Sequence, residues 1–272
     1  MKFAVNYSPQ AADLFRQGLI VVDRFKCPNW DWMIEEARSL APVYVHFDLT
    51  VGDASVHTRD WTAIERQLRE TDTPLINLHP VVQKPATHSR LAERNAREAE
   101  QALRDVSFVI RRFGTDRVIV ENSPLRVTEA QAGRIRQLPP LHDPVILSQV
   151  IRSAGVGLLL DLAHARLTCA ATGQDVADYV QALPLALLRE VHITGIGTVD
   201  GALRDHLALQ AGDWALFDAF MTWIADGIAA RPWLVAHEYG GFGEKFDWRS
   251  ETAVLANDTV RLAERVRQFE RA

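Results

Sequence analysis

The chain has 272 residues, 47% of them hydrophobic, and its 30 Lys and Arg against 35 Asp and Glu give a formal net charge of -5. That balance carries no global electrostatic footprint for nucleic acid. No apolar stretch approaches the roughly 18 residues of a membrane span, and the first residues, "MKFAVNYSPQ", enter a strand-like run without a signal-peptide pattern, so a cytoplasmic protein is expected.

Taken in chain order, eight β-rich runs recur: "KFAVNYS", "VVDRFKC", "PVYVHFDL", "PLINLHP", "RVIVENS", "GLLLDLA", "REVHITG" and "WLVAHEYG", each followed by a helix-like segment. After the fourth run, "RLAERNAREAEQALRDVSFVIRRFG" places Ala92, Ala96, Ala99, Leu103, Val106 and Ile110 at spacings of three and four, with Gly114 as a natural helix stop. No linker, composition break or low-complexity run divides the chain, and a single domain over residues 1–272 is expected. An open doubly wound sheet would want a Gly-rich first βα turn, which is absent. The expected fold is α/β, a single (βα)8 TIM barrel. Cys27 and Cys169 are the only cysteines and are read as free thiols of a reducing compartment.

In such a barrel, catalytic groups gather at the C-terminal ends of the strands. His46 lies late in the third run, His79 in the fourth, Glu121 ends the fifth, Asp161 ends the sixth, His192 lies in the seventh and Glu238 in the eighth. His164 follows Asp161 by three residues, and "RDHLAL" after the seventh run adds Asp205 and His206. Any one of these taken alone is more often hydrogen-bonded structure. Together they exceed the three or four ligands of one zinc ion and suit two or three ions sharing carboxylates.

The remaining polar residues carry less. His57, His88 and His142 are expected to be solvated, and His237 should point away from Glu238, toward the helices. Lys26, Lys84 and Lys245 read as exposed cations, with an anion-holding role at the mouth as the alternative. "YGGFGEKFDW" lacks the spacing of a phosphate loop and reads as a lid. Trp248 is the tryptophan expected at a pocket, and Asn6, Asn77 and Asn122 are read as supports of the site, substrate contacts or loop caps. Nothing around Cys27 resembles a nucleophile with a placed base.

"VYVHFDLTVGD", "INLHPVV", "VIVENSP", "LLLDLAHARLTCAATGQDVADYVQALPL", "EVHITG", "DHLALQAGDW" and "VAHEYG" resemble the multinuclear non-haem iron dependent oxidative enzymes, a branch of the xylose-isomerase-like barrels related to endonuclease IV. The resemblance implies a centre of two or three iron ions that oxidises a substrate with dioxygen, often a cysteine-bearing peptide presented by a partner protein. It implies His46, His79, Glu121, Asp161, His164, His192, His206 and Glu238 as metal ligands. Asp205 joins them less securely, because it is adjacent to His206, whereas the family separates this pair by one residue. In an extended chain two neighbours cannot face one ion without a bulge or turn.

Two further departures bear on substrate. Arg24, Phe25 and Lys26 stand where the family carries an acid, and no extra domain to grip a leader peptide is expected. Three chemistries stay open on the residues: an iron oxidase or oxygenase acting on a peptide or small molecule, a zinc phosphodiester hydrolase of the endonuclease IV type, and a divalent-metal sugar isomerase or epimerase. The ligand types accept iron, zinc and manganese alike.

Overall fold

The computed structural model describes residues 1–81 and 91–271. All eight runs contain a strand: β1 (Lys2–Asn6), β2 (Arg24–Pro28), β3 (Val43–His46), β5 (Ile76–Pro80), β6 (Val118–Glu121), β7 (Gly157–Asp161), β8 (Leu188–Ile193) and β11 (Leu234–His237). Three more strands are present: β4 (Thr50–Val51) and the pair β9 (Gly195–Val199) and β10 (Ala202–Leu207). The helices between them are α1 (Pro9–Arg16), α2 (Asp31–Arg38), α3 (Trp61–Glu70), α4 (Leu91–Phe113), α5 (Pro144–Ala154), α6 (Leu162–Thr172), α7 (Val176–Ala182) and α8 (Ala211–Ala225). The chain ends in α9 (Thr252–Val254), a π-helical turn over Leu255–Thr259, and α10 (Val260–Arg271).

The main sheet has nine strands in the order β3-β2-β1-β11-β8-β7-β6-β5-β4, so the count of eight is corrected by one. The extra strand arises because the chain pairs again just past the third run. Within the run β3 pairs with β2, and β4, which follows its last residue, pairs with β5. Between them the Phe47 amide donates to the Asn77 carboxamide oxygen at 2.8 Å, Asn77 Nδ2 donates to the Phe47 carbonyl at 2.8 Å, and the His79 amide donates to the Leu49 carbonyl at 2.8 Å. One stretch of chain therefore meets both ends of the sheet. Every neighbouring pair is parallel, so all the C-terminal strand ends lie on one side.

Local chemistry explains the elements around β7. Asp143 caps α5, its carboxylate accepting from the Val145 and Ile146 amides, and Pro144 stands at the first helical position, where no amide is needed. Gly155 ends the helix in the left-handed region at φ 67°. At Gly157 an added Cβ would come within 2.5 Å of Arg189 Cγ and 2.9 Å of Ile119 Cγ2, so only glycine lets β7 approach its neighbours.

The apolar stripe on α4 is corrected. Ala96 is exposed and Ala99, Leu103 and Ile110 are only half-buried; the buried line runs through Ala102, Val106 and Val109. Asp105 rotates the helix: buried, it accepts from the Gly52 and Ala54 amides at 2.8 and 3.0 Å and from Gln101 Nε2 at 2.8 Å, which turns an acid toward the loop after β4. The Ala92 and Lys245 side chains, like the residues His88 and Lys84, lie outside what the structure describes. Both cysteines are free, as expected, and both are buried. Among the described residues no helix is long and apolar enough to cross a membrane.

Candidate metal centre

The junction of β7 and α6 shows how the chain builds this site. Asp161 ends the strand and is also the cap of the helix: its Oδ1 accepts from the His164 amide at 2.8 Å. Its Oδ2 is left buried without a hydrogen-bond partner. One helical turn later, the His164 ring returns to the same place, with Nε2 3.5 Å from Asp161 Oδ2 and Nδ1 3.1 Å from Glu121 Oε1. Asn122 braces both, its side chain bonding the Asp161 amide and carbonyl at 2.8 and 2.9 Å while its own carbonyl lies 2.9 Å from His164 Nδ1.

All nine expected residues converge. Glu121 is central: Oε2 is 3.1 Å from His79 Nδ1 and 3.6 Å from His46 Nε2, and it makes no hydrogen bond with either. The His46 ring centroid is 4.9 Å from that of His79 and 5.0 Å from that of His192. His192 Nδ1 lies 3.0 Å from Glu238 Oε1. On the other side, Asp205 Oδ2 is 3.3 Å from His164 Nε2, and His206 Nδ1 is 2.6 Å from the Glu238 carbonyl oxygen. Three sets of ligand atoms lie mutually within 4.8 Å: His46, His79 and Glu121; His46, His192 and Glu238; and Glu121, Asp161 and His164.

The obstacle raised for Asp205 and His206 is met by a bulge. The β9–β10 register shifts between Arg204 and Leu207, and His206 takes φ 62°, a left-handed backbone unusual for a side chain of this size. Neighbouring residues thus face the same cluster. The hairpin carrying them was missed by the sequence reading, although Asp200-Gly201 is its signal: both have positive φ, at 52° and 73°, as the two-residue turn of a hairpin requires.

Burial sets the protonation of the cluster. It lowers His46 well below the usual imidazole range, helped by the nearby Lys26, lowers His79 in spite of Glu121, and takes His206 to about 3. His164 is the exception: burial opposes its charge, but Asp161, Asp205 and Glu121 outweigh burial and raise it well above that range. Burial likewise opposes ionisation of Glu121 and Asp205, and the surrounding histidines win, holding both carboxyls below their usual range. At Asp161 burial wins and raises the carboxyl. Neutral imidazoles beside ionised carboxylates are the forms that bind metal.

Several supporting residues depart from expectation. Lys26 is not a solvated cation: it is buried, its ammonium pairs with Glu238 Oε1 and lies 3.4 Å from His192 Nδ1, and burial pulls it down to about 8. Strand alternation in "RFKCP" was the available signal, since it puts Lys26 on the opposite face to the core residues Phe25 and Cys27. Glu190, two residues before His192, reaches His192 Nε2 at 2.7 Å and accepts from Trp233 Nε1 at 3.2 Å. His142 is buried, with Nε2 3.1 Å from the Pro124 carbonyl. His57 faces Asp105 at 3.2 Å, away from the cluster, and His237 points to the helices as expected, 3.0 Å from Thr259 Oγ1.

A cavity of about 660 Å³ opens above the cluster. His46, His79, Glu121, His164, His206 and Glu238 form its polar floor, and Asn6, Trp30, Phe242, Phe246 and Arg249 contribute to its walls. Trp248, the tryptophan expected there, is not among them; Trp30 is. The glycine-rich loop after β11 supplies Gly240 and Gly241 to the wall.

Residues 111–227 match the family described as "RiPP precursor modification enzyme MbnB/TglH/ChrH", which upholds the resemblance read from the sequence over the segment that contains Glu121, Asp161, His164, His192, Asp205 and His206. No curated protein matches the chain in sequence. Solved structures resemble it along their length: a D-tagatose 3-epimerase-like protein (15% identity, all of both chains covered, TM-score 0.61), a xylose isomerase domain protein from Planctomyces limnophilus (13%, 100% of this chain and 98% of that one, 0.56) and a family 2 AP endonuclease from Brucella melitensis (11%, 94% and 96%, 0.55). At these identities the likeness is one of fold: a xylose-isomerase-like α/β architecture.

Proposed function

We propose that the chain, as a single domain over residues 1–272, closes into a (βα)8 barrel and is an iron-dependent oxidase or oxygenase. Its ligands are His46, His79, Glu121, Asp161, His164, His192, Asp205, His206 and Glu238. The observation that carries this reading is the set of buried ligand atoms with no hydrogen-bond partner: His46 Nδ1, Glu121 Oε2 and Asp161 Oδ2. A buried carboxylate oxygen without a donor is costly unless a cation meets it. Three overlapping sets of ligand atoms lying within 4.8 Å of one another favour more than one ion. In the set of His46, His192 and Glu238, the Lys26 ammonium already pairs with the carboxylate, which favours two ions rather than three.

Iron bound here would supply the redox capacity for oxidation by dioxygen. The chain's own residues do the rest. Glu121, reached from both sides, is suited to bridge; Asn122 and Asn77 fix the backbone and rings that carry the ligands; Glu190 accepts the proton of His192 Nε2 and leaves Nδ1 for the metal. The cavity above holds the substrate against this floor and limits water. By analogy with the matched family, the substrate is a peptide, with presentation by a partner protein and a cytoplasmic setting in keeping with it; a small molecule fits the same cavity. Zinc or manganese would satisfy the same donors.

The test is metal and oxygen together. Protein prepared without air should hold about two iron ions per chain and consume oxygen when reduced, and His164→Ala should lose iron and oxygen uptake while remaining folded. Lys26→Met should admit a further ion. Oxygen-independent turnover of a phosphodiester or a sugar by the zinc or manganese form would overturn the oxidative assignment.

A further inference from the structure

Arg249 lies at the end of the 3-10 helix Glu244–Arg249 and lines the cavity above the ligand cluster. Among the described residues no hydrogen-bond or ion-pair partner meets its guanidinium, and its Nε is buried and unpaired. Its Cζ sits instead over aromatic rings, 4.3 Å from the Phe246 centroid and 5.9 Å from that of Trp248. Burial lowers its affinity for a proton, with Asp205 acting through space in the opposite sense. A partly buried cation without a direct ion-pair partner is held at a cost, and a planar guanidinium is shaped to receive a carboxylate through two parallel hydrogen bonds.

A second feature adjoins it. Trp30, Trp32 and Phe242 are exposed at 41%, 45% and 42%, yet touch one another, Trp30 stacking on Trp32 at 6.2 Å between centroids and Trp32 meeting Phe242 edge-on at 4.6 Å. Trp30 and Phe242 also line the cavity. Exposed aromatic side chains grouped at the lip of a cavity mark a surface that an apolar group covers.

We propose that the cavity takes a substrate with a carboxylate next to an aromatic or large aliphatic side chain, the carboxylate seated on Arg249 and the apolar group on the shelf of Trp30, Trp32 and Phe242. This rests on the reading of the cavity as the substrate site. A doubly charged phosphate is a poorer fit, because Arg126, the other guanidinium on the cavity wall, is already 3.3 Å from Asp205 and because Glu121 and Glu238 line the same space.

The test uses the full metal-loaded chain and three probes: N-acetyl-phenylalanine, its amide, and N-acetyl-aspartyl-phenylalanine amide. Binding is followed by calorimetry and by tryptophan fluorescence. At least one acid should bind about tenfold or more tighter than the phenylalanine amide, the margin of a charge-assisted hydrogen bond. Which acid wins tells a chain-terminal from a side-chain carboxylate. Arg249→Gln should erase that margin with iron content unchanged, and Arg249→Lys should restore part of it. Equal binding of acid and amide by the parent chain, binding of neither acid, or a margin that survives Arg249→Gln would each overturn the proposal. The last outcome would place the carboxylate on the metal instead. Loss of iron from the parent chain would count against the oxidative reading and leave the comparison of acid with amide standing.

Discussion

The two faces of the same strands carry opposite chemistries. On the outer face, Phe3, Val5, Phe25, Val45, Leu158, Leu160, Val191 and Val235 join one continuous apolar core with the helices. On the inner face, Ala4, Tyr44, Leu234 and Ala236 form a small separate cluster with Trp233 against it; two residues beyond Tyr44 and Ala236 stand His46 and Glu238, and on strands paired with this face Lys26 is in register with Asn6 and His192 with Ala236. Because side chains alternate with period two, a single strand such as Gly157–Asp161 contributes Leu158 and Leu160 to stability and Asp161 to the site. The division teaches that the site can be altered without unfolding the sheet, and the packing behind the sheet weakened without changing the ligands.

Removing Glu121 breaks the inner face at its centre. Glu121→Ala should lower iron affinity by at least about 100-fold, beyond the effect usual for a supporting residue, and abolish oxygen uptake. The metal-free variant should still unfold cooperatively, somewhat below the parent, because the acid it lacks is favoured in its ionised form by the surrounding histidines. Iron retained at the parental level would sink the bridging role.

The matching cut on the outer face is Leu160→Ala. Leu160 is fully buried in the apolar core, and its truncation should cost about 2–5 kcal/mol in denaturant unfolding. The folded fraction should hold the parental quantity of iron per chain. A variant that stays stable but loses metal would mean that the two faces are coupled rather than divided.

How much of this division was legible follows from the same alternation. Eight buried strands announce themselves as apolar runs, and residues such as His79, Glu121 and Asp161 interrupt those runs near their ends, so both strand and ligand could be read. What escaped depends on three-dimensional context. Asp105 turned α4 because it meets amides of a distant loop, and β4 is two residues long. The β10 bulge that reconciles Asp205 with His206 is a backbone feature, visible only once the hairpin is built. Lys26 and Arg249 look like ordinary surface cations until the cavity around them is formed.

Glu190 tests the depth of the inner face. Glu190→Gln keeps the shape and a contact with Trp233 but replaces the charged acceptor of His192 Nε2, now 2.7 Å away. Metal affinity should fall about 10-fold, the low end of the range for a residue that orients a ligating histidine. Metal titration separates this from a packing defect, which would lower stability and leave affinity unchanged.

The smallest expected effect lies where the two regions meet. His142 is buried at the cavity wall, directly after Leu141 of an apolar cluster with Ala102 and Val150. Burial lowers its basicity; the Pro124 carbonyl 3.1 Å from Nε2 opposes that shift and His164 adds to it. In the unfolded chain an imidazole takes up its proton near pH 6.5, whereas in the folded chain it stays neutral to lower pH. The unfolded state therefore binds more protons as pH falls through about 6.5, and folding stability declines from there until the lowered folded value is reached, by up to about 1.4 kcal/mol per pH unit for this one group. His142→Gln keeps a donor for Pro124 and removes the titration. Denaturant unfolding of the metal-free parent and variant between pH 7.5 and about 5 should give curves that run together at the upper end and diverge below about 6.5, the variant losing less. Parallel curves across the whole range would show that His142 is protonated alike in both states, and that the apolar face does not extend to the cavity wall at this point.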